Sequence, residues 1–316
     1  MKNVKRTCQR DCGMNVEQFP KFEKSICCMK VIKAKHKAEY EPIADLVTYR
    51  AMPTRMMPMN ELDPFIFLNH HGWQQYSPNN NGLPFGPHPH RGFETVTFII
   101  EGDLMHKDSS GASSIIKTGG VQWMTAGSGL IHAEVSSDEF KKHGGPLEIL
   151  QLWINLPAKY KMTTPKYIGL QKHDIPTISW DDGKVTAHIV SGYWTNTKGP
   201  VEPLTDIHLA YIEFKEGGKL SIPVEQGKTV FLYIVKGKTM INGEEAEMHH
   251  LVEFTHEGTM IEIKALTNAL LLFGFATPFH EPFAAYGPFV MNTQEEIMQA
   301  YEDYHAGKFG KEAALV

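Results

Sequence analysis

Two residue pairs of equal spacing, set either side of a glycine-rich turn, constrain this chain more than anything else in it. The stretch Gly82–Glu134 opens G-L-P-F-G-P-His88-Pro89-His90-R-G-F-Glu94-T-V-T and closes V-Q-W-M-T-A-G-S-G-L-I-His132-A-Glu134. Residues two apart in a strand point to one face, so His88 sides with His90, and His132 with Glu134. Glu94 stands an even number of residues past His90 and joins that face if the strand runs unbroken. Two such strands inside a barrel bring together three imidazoles and one or two carboxylates. That set suits a divalent first-row metal, and open coordination positions favour iron. A lone His-x-His says little; a second pair across Ala126-Gly127-Ser128-Gly129 says more, because a buried carboxylate needs a partner.

Around this stretch the chain reads as short strands punctuated by glycine. Phe65–Leu68, Thr95–Ile100, Ile115–Lys117, Gln122–Met124 and Leu147–Leu156 are strand-like, with turns at Glu101-Gly102-Asp103 and Gly119-Gly120. Many short strands with regular turns predict an all-β fold. His70-His71-Gly72-Trp73 and Asn79–Gly82 read as a loop, and two adjacent strand histidines could not both reach one metal. Asp138–Lys142 is one helical turn. Near the C-terminus, Asn292 or Thr293 caps a helix whose apolar Ile297, Met298, Tyr301 and Tyr304 recur at helical spacing up to Gly307.

The second half repeats the first. Thr95-Val96 recurs as Thr229-Val230, and L-E-I-L-Q-L-W-I-N-L-P (147–157) parallels N-A-L-L-L-F-G-F-A-T-P (268–278). At these offsets His88 and His90 fall on Ile222 and Val224, Glu94 on Lys228, and His132 and Glu134 on Ile263 and Ala265. The repeat has the pattern without the metal positions.

The pattern G-x5-H-x-H-x3-E, followed by a glycine-rich turn and a histidine, resembles the paired motifs of the cupin superfamily. The runs H-P-H-R-G-F-E-T-V-T, V-Q-W-M-T-A-G-S-G-L-I-H-A-E and Y-G-P-F-V-M-N-T-Q-E-E-I (286–297) are similar to the pirin family, over about residues 45–310. The resemblance implies two cupin-type β-barrels (a bicupin) with a C-terminal helix. It places iron ligands on His88, His90, His132 and Glu134, with other divalent first-row metals as substitutes. Other cupins put the carboxylate ligand where Glu94 stands, so Glu94 and Gln122 become candidates for orienting the ligands. The expected divisions are a disordered extension over 1–40, a metal-bearing barrel over 41–175 and a metal-free barrel over 176–280. A segment over 281–316 then carries the helix onto the barrels.

Pirin-like proteins imply two activities. One is a quercetin 2,3-dioxygenase that opens a flavonol with molecular oxygen; the other is an iron-dependent transcription co-regulator acting through protein partners. The site chemistry favours the oxidoreductase, with Glu134 as the catalytic base that takes the flavonol hydroxyl proton. Phe85, Phe93, Trp123 and Met124 are candidate walls for a small-molecule aromatic substrate. A formal charge of −5 gives no basic footprint for direct nucleic-acid binding. No apolar run reaches membrane-spanning length, and the N-terminus has no apolar core of a secretory signal. Cys8, Cys12, Cys27 and Cys28 all lie in the first 28 residues, which is not a disulfide framework. The expectation is a monomeric cytoplasmic protein, also nuclear in a eukaryotic host.

Overall fold

The computed structural model describes residues 28–311. The expected all-β architecture is present: two barrels, each built from a seven-stranded and a four-stranded antiparallel sheet. In chain order the strands begin with β1 (Ile32–Lys37), β2 (Glu39–Tyr40), β3 (Thr48–Met52), β4 (Phe65–Tyr76), β5 (Phe85–His90) and β6 (Phe93–Glu101). They continue with β7 (Asp103–Asp108), β8 (Ser113–Lys117), β9 (Val121–Thr125), β10 (Leu130–Val135), β11 (Gly145–Asn155) and β12 (Lys166–Leu170). The first barrel joins a sheet of order β12-β9-β6-β11-β4-β3-β2 to one of order β5-β10-β7-β8. β13 (Thr177–Trp180) and β14 (Val185–Ser191) open the second barrel. Its large sheet runs β1, His250–Phe254, Thr229–Lys236, Ala269–Ala276, Ile207–Phe214, β14, β13, the same plan strand for strand.

One strand crosses over. β1 precedes the first barrel in sequence yet pairs with His250–Phe254 in the second, at the position β12 holds in the first. The expected extension over 1–40 is therefore corrected from its C-terminal end. Ile32–Lys37 and Glu39–Tyr40 are ladder strands, because each finds an open sheet edge to pair with. Residues 1–27, the rest of that expectation, lie outside the described residues. Cys28 is disulfide-bonded rather than a free thiol.

The two large sheets pack face to face through one apolar layer. Val96, Phe98, Trp123, Leu150 and Leu152 from the first meet Leu209, Phe231, Tyr233 and Leu272 from the second. Cross-strand register fixes what each face carries: Leu152 pairs with both Val96 and Leu68, so these share the interface side. Their sequence neighbours Gln151, Thr97 and Asn69 must then point into the first barrel.

β4 corrects the expected loop at His70-His71. The strand runs unbroken to Tyr76 because β3 pairs on one side and β11 on the other. Both imidazoles are buried and partnered on opposite faces. His70 meets Tyr233 Oη and Glu148 at the interface (both 3.0 Å), while His71 Nδ1 meets Thr48 Oγ1 (2.9 Å) inside. The repeat register also needs correction. Val96 lies between the barrels but Val230 lies inside the second, so the Thr95-Val96 match is one residue out. Ile222, Val224, Ile263 and Ala265 do face inward, as His88, His90 and His132 do.

Both expected helical segments form, each on a capped N-terminus. Ser137 Oγ accepts from Phe140 N at the start of α1 (Asp138–His143), and Thr293 and Glu296 make a reciprocal capping box at α2 (Gln294–His305). After the second barrel the chain returns to the first. Phe289, Ile297, Ala300 and Phe309 cover Ile131 of β10.

Candidate metal centre

The centre is assembled from two strands of the small sheet. His132 in β10 pairs with His88 in β5, and Leu130 pairs with His90. The ring-nitrogen ligand atoms of His88, His90 and His132 lie within 4.8 Å of one another. His88 Nδ1 donates to the Gly86 carbonyl (2.8 Å) and His90 Nδ1 to the Pro288 carbonyl (3.2 Å). A carbonyl only accepts, so both rings carry their proton on Nδ1 and offer an Nε2 lone pair. His132 Nε2 comes within 2.9 Å of His88 Nε2. Burial, together with the neighbouring imidazoles, holds His90 and His132 well below the usual histidine range. Three converging imidazoles are the donor set of a first-row divalent cation, so the residues fit the metal the sequence implies.

Glu134 does not join the converging triad. A bulge between His132 and Glu134 sets Glu134 opposite Phe85. Its buried carboxylate accepts from Thr97 Oγ1 (3.0 Å), Gln151 Nε2 (2.5 Å) and Gln122 Nε2. These three donors form one cross-strand row, Gln151 opposite Thr97 and Thr97 opposite Gln122. The Tyr167 hydroxyl donates to Gln122 Oε1 (3.2 Å) and extends the chain. Gln122, a candidate for orienting the ligands, makes its contact with Glu134 rather than with a histidine of the triad.

Glu94 faces the other way. Between His90 and Phe93 the chain turns at Gly92, whose φ is +86° and whose Cβ, were there one, would meet the Val290 carbonyl at 1.9 Å. The strand is therefore broken and the even-number count fails. Glu94 accepts from Thr125 Oγ1 (2.6 Å) and lines a cavity of about 120 Å³ with Trp123, Lys166 and Leu204. Burial there raises its carboxyl above the usual range.

Of the expected aromatic walls, Phe93 stands edge-on to His90 with centroids 5.0 Å apart. Trp123 belongs to the interface layer, Met124 packs with Ala126 and Leu130, and Phe85 lies against His71. The larger wall is one the sequence did not reveal. Trp153 stacks on Phe67 (4.4 Å), tilts onto Phe93 (4.5 Å) and meets His90 edge-on (5.3 Å). Behind His132 sits a second missed group, His106, stacked on Tyr167 (3.9 Å) and bonded through Nε2 to Asp108 (2.9 Å). Its only sequence signal was the alternation of D-L-M-H-K-D.

The returning C-terminal segment braces this end of the barrel. Arg91 bonds the Ser128 carbonyl (2.7 Å) and pairs with Asp303 of α2 (2.8 Å), with its guanidinium over Phe309. The buried Lys161 ammonium donates to the carbonyls of Gly92 and Val290 and to Asn155 Oδ1, and burial brings it down to about 7. His90 is fixed between these clamps.

Residues 46–154 match the pirin family model, and residues 209–310 match the model of the pirin C-terminal cupin domain. Human pirin is 36% identical over 266 residues, covering 81% of this chain and 86% of its own. A solved quercetin 2,3-dioxygenase from Acinetobacter baumannii superposes with a TM-score of 0.85 at 35% identity, over 90% of this chain and 99% of that one. A bacterial pirin from Escherichia coli, solved in complex with nickel(II), shares the fold at a TM-score of 0.62 and 20% identity, over 78% and 99%. With both barrels matched, and with a relative this similar along four-fifths of its length, the chain belongs to the pirin family.

Proposed function

We propose that this protein is an iron-dependent dioxygenase acting on a flavonol-type aromatic, of the quercetin 2,3-dioxygenase kind. One observation carries the reading: three imidazoles converge beside a carboxylate that a cross-strand row of donors holds in place, against an aromatic wall. His88, His90 and His132 would hold the ion, with Glu134 the candidate fourth ligand. Ferrous iron held there would supply a Lewis-acid centre with room beyond these four side chains for a chelating oxygen pair, or for one substrate oxygen together with molecular oxygen. The remaining work falls to the chain. Phe93 and Trp153 exclude water from one side and give a planar ring a face to lie on. Glu134 takes the proton of the 3-hydroxyl, and its other contacts, to Thr97, Gln122 and Gln151, keep the carboxylate aimed.

The test is metal analysis of the purified protein together with oxygen uptake on quercetin. The expected result is about one divalent metal per chain and uptake that requires iron. A flavone lacking the 3-hydroxyl should give none, since it can neither chelate nor yield the proton. The reading fails if iron-replete protein takes up no oxygen with quercetin. If a partner protein's affinity then tracks the iron oxidation state, the co-regulator reading replaces it.

A further inference from the structure

Beyond the triad, the inner face of the large sheet carries polar groups that the metal does not use. The row Gln151, Thr97, Gln122 extends the other way through Asn69 on β4, opposite Gln151, to Arg50 on β3, opposite Asn69. Asn69 is 2% exposed, and its Oδ1 has no hydrogen-bond partner. Arg50 is half-buried: one terminal nitrogen meets Glu41 at the surface (3.3 Å), while Nε, buried, has no partner. Its guanidinium lies 4.5 Å over the Phe67 ring, which in turn stacks on Trp153. Trp153 Nε1 is likewise buried and unpartnered.

Buried donors and acceptors left unpaired cost free energy, and sets of them on one barrel face are what a ligand would satisfy. The chemistry narrows the ligand. Arg50 Nε and Trp153 Nε1 can only donate, and Asn69 Oδ1 can only accept. A carboxylate would satisfy the donors but turn two acceptors on each other at Asn69. A phenolic hydroxyl both donates and accepts, so it meets both kinds of demand. From Gln151, which holds Glu134, to Arg50 is two strand spacings, about 10 Å. That is the scale of a planar multi-ring molecule lying along Phe67 and Trp153.

We propose that Arg50 and Asn69 form a specificity subsite that reads phenolic hydroxyls on the substrate ring farthest from the histidine triad. This rests on the flavonol-type reading above. It adds that the distal ring must be hydroxylated and names the residues that select for it.

The experiment measures binding, not turnover, so the two readings fail separately. Quercetin, with a catechol as its distal ring, is compared with galangin, the same flavonol with a bare phenyl. Both are titrated under nitrogen into the metal-loaded protein, by quenching of tryptophan fluorescence. Wild type should bind quercetin roughly tenfold or more tightly than galangin, the scale of one or two hydrogen bonds to a charged or buried group. Asn69→Leu and Arg50→Met should each bring that ratio towards one while keeping galangin affinity. Asn69→Asp, which retains an acceptor oxygen, should keep the preference. Arg50 is partly exposed, so its variant serves even if the Asn69 substitution disturbs folding. Equal affinities in wild type, or a ratio unmoved by both variants, overturns the subsite alone. If neither flavonol binds, the flavonol reading falls and the subsite with it.

Discussion

The inward face of the first barrel carries His88, His90, His132, Glu134, Gln122, Gln151 and Asn69, all but two of them buried. The corresponding face of the second carries Ile222, Val224, Val230, Leu232, Ile263 and Phe273. The strand order is the same in both, so this topology needs neither filling. An apolar interior is stabilised by burial alone, at about 1.5–3 kcal/mol for each large side chain. A polar interior starts from a desolvation cost that hydrogen bonds recover only in part. The first barrel can carry that cost because its outer face shares the apolar layer with the second. The second barrel is apolar throughout, whereas the first is apolar inside only around Ile99, Leu104, Ile116 and Ile149, which leaves the rest of its interior to polar groups.

The sharpest way to break this division is to remove filling from the second barrel. Phe273 is wholly buried there, against Trp194. Phe273→Ala should cost about 3–5 kcal/mol in chemical denaturation, with an unchanged denaturant slope. A loss under about 1 kcal/mol would mean the second barrel is not the stabilising half.

Next comes metal. Loading wild type with ferrous iron at about a thousandfold excess over its Kd should add about 4 kcal/mol, read as a rise in Tm. His132→Ile, which installs the residue type of the second barrel, should abolish the rise. Ile263→Val, at the matching place in the second barrel, should keep it. An undiminished rise in His132→Ile would put the metal elsewhere.

Those two sites mark what could be read from residues alone. Three ligand candidates were legible because a two-residue period is a local property of a strand. Glu94 was misplaced because its face depended on the Gly92 turn, which needs a close approach to Val290 from some two hundred residues away. Gln151 and Trp153 were invisible as site residues for a related reason. Their run L-E-I-L-Q-L-W-I-N-L-P has both faces buried, so hydrophobicity does not say which face looks inward. The His70-His71 pair read as a loop because its partners, Glu148, Tyr233 and Thr48, come from distant strands.

The two carboxylates provide a smaller and more specific contrast within the first barrel. Glu134→Gln removes a charge beside the triad and should weaken metal affinity roughly 10–100-fold, measured by competition with a chelating dye. Glu94→Gln, on the interface side, should leave it unchanged. Equal losses would return Glu94 to the metal's side of the sheet.

The smallest expected effect, taken per pH unit, concerns pH, and it separates the barrels without any metal. His71 lies inside the first barrel, where burial, with His70 and Arg50 nearby, brings its imidazole down to about 3. Its Nδ1 pairs with Thr48 Oγ1, and its buried Nε2 meets no hydrogen-bond partner, so the fold offers nothing to a second ring proton. In the unfolded chain the same ring takes a proton near its ordinary value of about 6.5. Between those two values the unfolded state binds more protons. The contribution of His71 is therefore complete above about pH 6.5 and is lost as pH falls towards 3. The slope approaches about 1.4 kcal/mol per pH unit for one such group. Chelator-treated protein, denatured at a series of pH values from 7 to 4, should show this slope. His71→Leu should reduce it. Ile222→Val, inside the second barrel, should lower the whole curve without changing its steepness, since the apolar cluster there contains no titrating side chain. A slope that His71→Leu leaves untouched would assign the acid sensitivity to other groups, and the polar interior would then contribute nothing to it through this ring.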